Sequence, residues 1–152
     1  MDKLGQDKIS HILVPLNGGH DDEQALQLAC LVARKHKSQL SVLHVVEVPR
    51  AQTLDTELST ETARGEHLLE HAEELTHSLG CEAKGELLQA RKAGTALVDE
   101  ATRLNVDLII MGLPFHTHFG AYQLGETSNY ILNHAPCRVW LVREQAGKHS
   151  ES

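Results

Sequence analysis

The chain has 152 residues, of which 41% are hydrophobic and 3% aromatic, and its formal net charge is −7 with neutral histidines. This length and composition indicate one domain with an aliphatic core. The acidic balance argues against nucleic acids and anionic membrane surfaces as partners, since both are bound through an excess of Lys and Arg, and no apolar run approaches the ~20 residues that span a bilayer.

In chain order, the first element is the apolar run "HILVPL" at 11–16. It lacks the alternation of a half-exposed strand, which predicts a strand buried on both faces. A helix follows, for which Asp21 or Asp22 is the candidate N-cap. Its inner face is predicted from apolar residues at helical spacing, namely Ala25, Leu28, Ala29 and Val32. The β-branched run at 40–48 predicts the second strand.

The longest predicted helix covers 60–79, and Gly80 is a natural stop for it. Its inner stripe is expected to be Leu68, Ala72, Leu75 and Leu79. Residues 81–89 predict a weaker third strand and 95–105 a third helix. The apolar run at 107–112 predicts the fourth strand, 127–134 a helix that ends before Pro136, and 138–142 the fifth strand. We place the domain at 8–143 and expect the polar residues 144–152 to form a disordered tail.

Five strands therefore alternate with four helices, which predicts an α/β fold with one open, twisted parallel sheet. In such sheets a ligand binds beyond the carboxyl ends of the strands. Two connections have the composition for that role, "PLNGGHDD" after the first strand and the long segment 112–128 after the fourth. Gly112 ends a strand and Gly125 precedes a helix, where glycine lets a phosphate approach backbone amides. The same glycines would also suit an ordinary tight turn.

Four stretches together resemble the universal stress protein family, over residues 8–143. They are "ILVPLNGG" with "DEQAL" at the start, "LSVLHVVEVP" in the second strand, "DLIIMG" in the fourth, and "GETSNYILNHAPCRVWLVR" at the end. The resemblance implies a Rossmann-like sheet with strand order 3-2-1-4-5. It also implies an adenine-nucleotide site at the strand ends, with AMP, ATP or a cyclic form as the ligand and no metal beyond Mg²⁺ that accompanies the nucleotide.

The nucleotide-binding branch of that family has a glycine, two residues, a second glycine, nine residues, a third glycine and then Ser or Thr. Here the first glycine is Gly112 and the third is Gly125, but Phe115 replaces the second and Glu126 replaces the hydroxyl residue. The Asp of the first-strand motif is Asn17. The candidate binding residues implied by the resemblance are Pro15, Asn17, Val45, Met111, Gly112, Gly125, Glu126, Thr127 and Ser128.

The positions of this pattern that would contact the adenine are thus kept, whereas those that would contact the phosphates are altered. Asn17 still offers hydrogen bonds to a ribose without the charge of a carboxylate. Phe115 adds bulk where the family has glycine, and Glu126 places a like charge beside phosphate oxygens. His116, His118, Arg91 and Lys92 are candidates to offset that charge. We therefore expect AMP-like or cyclic nucleotides to be preferred over ATP.

Other candidate sites have weaker support. "HLLEH" at 67–71 places His67 and His71 on one helical face and matches a zinc-peptidase pattern, but a solvated helix flank explains it better. His44 within an apolar strand is typical of a satisfied core residue. No Ser–His–Asp or Cys–His arrangement stands out, so we assign no catalytic residue and leave only a weak ATPase activity open.

The resulting interpretation is a cytoplasmic, homodimeric sensor or regulator that binds an adenine nucleotide. The cytoplasm is expected because the N-terminus lacks a signal peptide and because Cys30, Cys81 and Cys137 have the spacing of free thiols. The resemblance implies that two copies pair through the edge strand Arg138 to Val142. The alternative is a dimeric interaction module that binds no nucleotide and regulates a partner such as a transporter or a signalling protein.

Overall fold

The computed structural model describes residues 8–114, 117–118, 121–122 and 124–145. Its strands are β1 His11–Pro15, β2 Gln39–Glu47, β3 Ala83–Ala90, β4 Leu108–Leu113, β5 Thr117–His118, β6 Ala121–Tyr122 and β7 Arg138–Arg143. Its helices are α1 Asp21–His36, α2 Ser59–Ser78, α3 Ala93–Arg103 and α4 Glu126–His134. From residue 146 on, the tail predicted at 144–152 lies outside the described residues, and no described helix is long and apolar enough to cross a membrane.

The main sheet has five parallel strands in the order β3-β2-β1-β4-β7. This confirms the predicted α/β fold and its strand order, with β7 as the predicted fifth strand. The order runs outward from β1 in both directions, so the winding reverses between β1 and β4. Loops that follow these two strands diverge there and leave room for a ligand.

Two apolar layers sandwich the sheet because successive strand residues point to opposite faces. On one face Ile12 and Val14 pack in a cluster with α1 and α2. On the other face Leu13 packs in a second cluster with Leu97 of α3 and Ile131 of α4. Aliphatic side chains dominate both clusters, as the low aromatic content requires.

The inner faces of α1 and α2 are broader than the predicted stripes. In α1, Leu28 and Val32 are half-buried, whereas Leu26, Cys30 and Ala33 are buried. In α2, the buried side chains include Leu69 and Thr76 in addition to Ala72. The predicted Leu68 and Leu75 are half-buried, as is Leu79 just after the end of the helix. Each helix contacts both the sheet and the other helix, so its apolar surface spreads over more than one stripe.

Two details of the predicted boundaries change. The N-cap residue of α1 is His20, without a side-chain cap, so the assignment of Asp21 or Asp22 as N-cap was wrong. Both carboxylates lie in the first turn instead, where they complement the helix dipole. The antiparallel pair β5–β6 was not predicted, because two-residue strands are too short to show a periodicity.

Candidate functional site

A cavity of about 680 Å³ opens at the carboxyl ends of β1, β2 and β4, next to the N-terminus of α4. Its volume is within the range of small-molecule sites. Seven of the nine residues singled out in the sequence line it, namely Pro15, Asn17, Val45, Met111, Gly112, Thr127 and Ser128. Residues as far apart in the chain as Pro15 and Ser128 thus meet at the place where the winding reverses.

The loop after β1 is held by carboxylates of the first turn of α1. Both carboxylate oxygens of Asp22 accept the backbone N–H of Asn17, at 3.0 and 3.1 Å, and one accepts the N–H of Gly18 at 2.7 Å. The side chain of Asn17 donates to Asp21 at 2.8 Å and accepts the N–H of Gly19 at 2.7 Å. An amide has one further N–H and one further lone pair, which leaves Asn17 able to contact a ligand.

Asp22 is only 6% exposed. Burial raises the pKa of its carboxyl group to about 6, although the two backbone N–H groups of Asn17 and Gly18 favour the charged form. Desolvation therefore outweighs the hydrogen bonds in this group. The loop at Asn17 and Gly18, which forms one wall of the cavity, is therefore held by a carboxylate whose charged form is energetically unfavourable.

Gly112 at the end of β4 is fixed by steric contact with α1. A Cβ atom built there would collide with the backbone carbonyl of Asp21. A side chain would force the first turn of α1 away from β4 and change the floor of the cavity. Glycine at this position is thus explained by packing in the ligand-free protein.

The phosphate-side residues stand at the N-terminus of α4, whose N-cap is Gly125. The amides of the first turn of a helix have no intrahelical partner and attract anions. Thr127 and Ser128 line the cavity, whereas Gly125 and Glu126 do not. The carboxylate of Glu126 instead lies 3.2 Å from the ammonium group of Lys92, beside a smaller notch of about 240 Å³.

The other proposed counter-charges are only partly described. Arg91 donates to the carbonyl oxygens of Val48 at 3.3 Å and Pro49 at 2.6 Å, away from the lining residues. Phe115 and His116 lie outside the described residues, as does the side chain of His118. Their predicted contributions to the site stay predictions.

The far wall of the cavity comes from α2 and was missed in the sequence. Glu61, Arg64 and Leu68 line it, and their i, i+3, i+7 spacing places them along one helical face. The neighbouring Gly65 lets this helix approach β2, because a Cβ there would be 2.8 Å from the His44 ring and 2.7 Å from Leu87. The helix is therefore held close to the strand ends.

His44 also lines the cavity and is more than a core residue. Its Nδ1–H donates to the backbone carbonyl of Leu16 at 2.9 Å, which ties the end of β1 to β2. Glu47 closes the same side, since its carboxylate accepts the N–H of Ala93 at 2.8 Å at the start of α3. The strand ends are thus connected to the loops around the cavity by specific hydrogen bonds.

The histidines of "HLLEH" lie on the exposed flank of α2. His71 is 3.2 Å from the carboxylate of Glu23 on α1, and both side chains are largely exposed. The described part of the chain contains no group of three His, Cys, Asp or Glu side chains placed to hold a metal ion. The pair His71–Glu23 is adequately explained as a surface contact between two helices.

Comparison with known proteins finds one family. The model of the universal stress protein family matches residues 8–143. A Staphylococcus aureus protein that bears the same family name is 24% identical over 140 residues, which cover 89% of this chain and 84% of that protein. The solved universal stress protein UspA of Lactobacillus plantarum is 25% identical with a TM-score of 0.75, over 90% of this chain and 99% of that one.

Three more distant structures share the fold and contain nucleotides. A universal stress protein of Archaeoglobus fulgidus in complex with dAMP has 18% identity and a TM-score of 0.72, over 88% of this chain and 97% of that one. One in complex with cAMP has 15% identity and a TM-score of 0.72, over 91% and 100%. One from Arabidopsis thaliana with AMP bound has 18% identity and a TM-score of 0.68, over 90% and 93%.

The buried carboxylate of Asp22 predicts a pH dependence of stability. Its folded-state pKa of about 6 lies above the ordinary value of 3.8, so between these pH values the folded protein holds a proton that the unfolded chain has lost. The contribution of Asp22 to the free energy of unfolding therefore falls as pH rises from about 4 to 6, by up to about 3 kcal/mol.

Urea unfolding at several pH values measures this contribution. In Asp22→Asn the fall should disappear relative to the wild type, whereas Asp99→Asn, which removes an exposed carboxylate, should keep it. Parallel pH profiles of the wild type and Asp22→Asn would show that Asp22 titrates normally.

Proposed function

Because this chain belongs to the universal stress protein family, we propose that it is a regulatory protein that binds an adenine nucleotide with one phosphate, such as AMP or a cyclic form. The main support for this proposal is the cavity of about 680 Å³. Its lining includes seven of the nine residues for which the family resemblance implies nucleotide binding. The nucleotide complexes of fold neighbours support the ligand class.

The chemistry of the cavity suits the two ends of such a ligand. Its apolar side includes Leu43, Val45, Leu97 and Met111, against which a purine can pack. At the start of α4, the hydroxyls of Thr127 and Ser128 and the first-turn amides provide donors for a phosphate. The amide of Asn17, which also lines the cavity, is the candidate partner of the ribose.

The charge balance favours a short phosphate tail. Glu47 and Glu61 are lining residues, and the carboxylate of Glu126 is exposed at the first position of α4. Lys92 offsets the charge of Glu126, 3.2 Å away, and Arg64 offsets one of the two lining carboxylates, which leaves an excess of negative charge. Each further phosphate adds negative charge among these carboxylates, so affinity should not rise from AMP to ATP.

Isothermal titration calorimetry with AMP, cAMP, dAMP, ADP and ATP tests this proposal. We expect AMP or cAMP to bind at least as tightly as ATP, measured at constant ionic strength and in the presence and absence of Mg²⁺. ATP that binds tenfold more tightly than AMP, a difference of about 1.4 kcal/mol, would contradict the charge argument. If no nucleotide binds, the interaction module that works without a nucleotide becomes the better explanation.

Gly125→Asp tests the phosphate side of the cavity. No described atom lies within 4 Å of a Cβ built at Gly125, and its φ of −76° suits any residue, so the variant should fold. A carboxylate at this N-cap should lower the AMP affinity at least about tenfold, because it competes for the amides that would bind phosphate.

The matched control is Leu132→Asp, which places the same charge on an exposed position of the same helix. It should bind AMP like the wild type. Unchanged AMP affinity in folded Gly125→Asp would remove the start of α4 from the binding site.

We also propose that the protein acts in the cytoplasm as a homodimer joined at β7. The cytoplasm is supported by the free thiols of Cys30, Cys81 and Cys137.

The dimer is supported by a difference between the two edges of the sheet. At β3, Glu73 accepts the N–H of Gly85 at 3.1 Å, and Gln89 donates to loop carbonyls at 2.8 and 2.9 Å.

The other edge is β7, and its central residues Val139, Trp140 and Leu141 are half-buried. Its register with β4 runs along the whole strand, from Arg138 opposite Leu108 to Arg143 opposite Leu113. Apolar edge strands are usually covered, since their outward N–H and C=O groups invite pairing. A second copy related by a two-fold axis would cover β7 with the same strand.

Proline substitutions at Val139 and Trp140 test this dimer. Adjacent residues of a strand point their N–H groups to opposite sides, so one of the two prolines removes a donor to β4 and the other an outward donor. Size exclusion with light scattering should show a dimeric wild type, and the outward-donor variant should be a folded monomer by circular dichroism. A monomeric wild type, or two prolines that leave dimerisation intact, would refute pairing through β7.

A further inference from the structure

Among the described residues that line the cavity, Arg64 is the single Lys or Arg. The neighbouring cations are engaged elsewhere, Lys92 with Glu126 and Arg91 with two backbone carbonyls. Gly112 and Thr127, at the two described ends of the altered glycine segment, therefore line a cavity whose one described permanent positive charge comes from a different element. Nothing in the family's loop pattern points to α2.

The backbone of Arg64 is held at the cavity by its surroundings. The next residue, Gly65, lies so close to His44 and Leu87 that a methyl group there would displace one of them. His44 in turn is bonded to the carbonyl of Leu16 at the end of β1. The segment of α2 that carries Arg64 is thereby packed onto β3 and onto β2, whose carboxyl end lines the cavity.

The guanidinium group of Arg64 is unpaired among the residues that the structure describes. Within the described ranges it forms no ion pair or hydrogen bond with another residue, although Glu61 lies one turn earlier on the same face. A guanidinium offers five donors in a planar fork that matches two oxygens of a phosphate. Its donors are therefore available to a bound anion.

We infer that Arg64 is the specificity-determining residue that binds the phosphate group of the nucleotide from the α2 side. This inference rests on the proposed function and goes further. It names the positively charged side chain that would bind the phosphate in a protein whose glycine segment is altered. A nucleotide phosphate would be bound between the guanidinium and the start of α4. A nucleoside without phosphate would fill only the apolar part of the cavity.

Calorimetry with adenosine and AMP on the wild type, Arg64→Gln and Arg64→Lys tests the inference. Arg64→Gln should lower the AMP affinity about tenfold or more, the usual effect of losing a charge-assisted hydrogen bond, and change the adenosine affinity less than twofold. Arg64→Lys should restore part of the AMP affinity, since it keeps the charge without the fork. Lys35→Gln, which removes a charge from an exposed position of α1 outside the cavity lining, should bind both ligands like the wild type.

The outcomes separate the inference from the proposed function. Unchanged AMP affinity in Arg64→Gln, while the wild type binds AMP, would overturn the role of Arg64 and leave the nucleotide site standing. Equal losses for AMP and adenosine would show that Arg64 only supports the shape of the cavity, which also overturns the inference. A wild type that binds neither ligand would refute the proposed function and the inference with it.

Discussion

The site depends on the contact between the first turn of α1 and the ends of two neighbouring strands. Asp22 accepts the N–H groups of Asn17 and Gly18 just after β1, and the backbone of Asp21 fills the space that a side chain at Gly112, near the end of β4, would occupy. These contacts fix the carboxyl ends of β1 and β4 against the start of α1. The wall of the cavity after β1 has its shape because the chain turns tightly there, and the carboxylate of Asp22 accepts the N–H groups of that turn.

This arrangement keeps an unfavourable group in the fold. A carboxylate as buried as Asp22 is costly in its charged form, and two hydrogen bonds to backbone N–H groups compensate only in part. Natural proteins accept such local costs chiefly where a site requires a defined shape. Here the shape is the loop that presents Asn17 to the cavity, and its amide still has an N–H and a lone pair left for a ligand.

The fold could be predicted because its strands are strong local signals. The runs around Ile12 and Ile109 lack polar residues, and each is buried in the centre of the sheet. The lining residues on β1 and β4 followed from the motif resemblance. Arg64 could not be found in this way, because α2 reads as a solvated acidic helix and its approach to β2 depends on Gly65, whose contacts with His44 and Leu87 are long-range. The binding role of each lining residue stays a prediction.

The two ends of the cavity also explain why loss of the second glycine need not abolish binding. An adenine ring gains its affinity from apolar contact, which Val45 and Met111 still offer. A single phosphate requires few donors, and under the proposal the start of α4 together with the guanidinium of Arg64 would provide them. A triphosphate would add two charged groups to a cavity that Glu47 and Glu61 line, and like charges 4 Å apart repel by about 1 kcal/mol even in water. Under the proposed function, replacing the second glycine would therefore alter which nucleotide binds before it alters whether one binds.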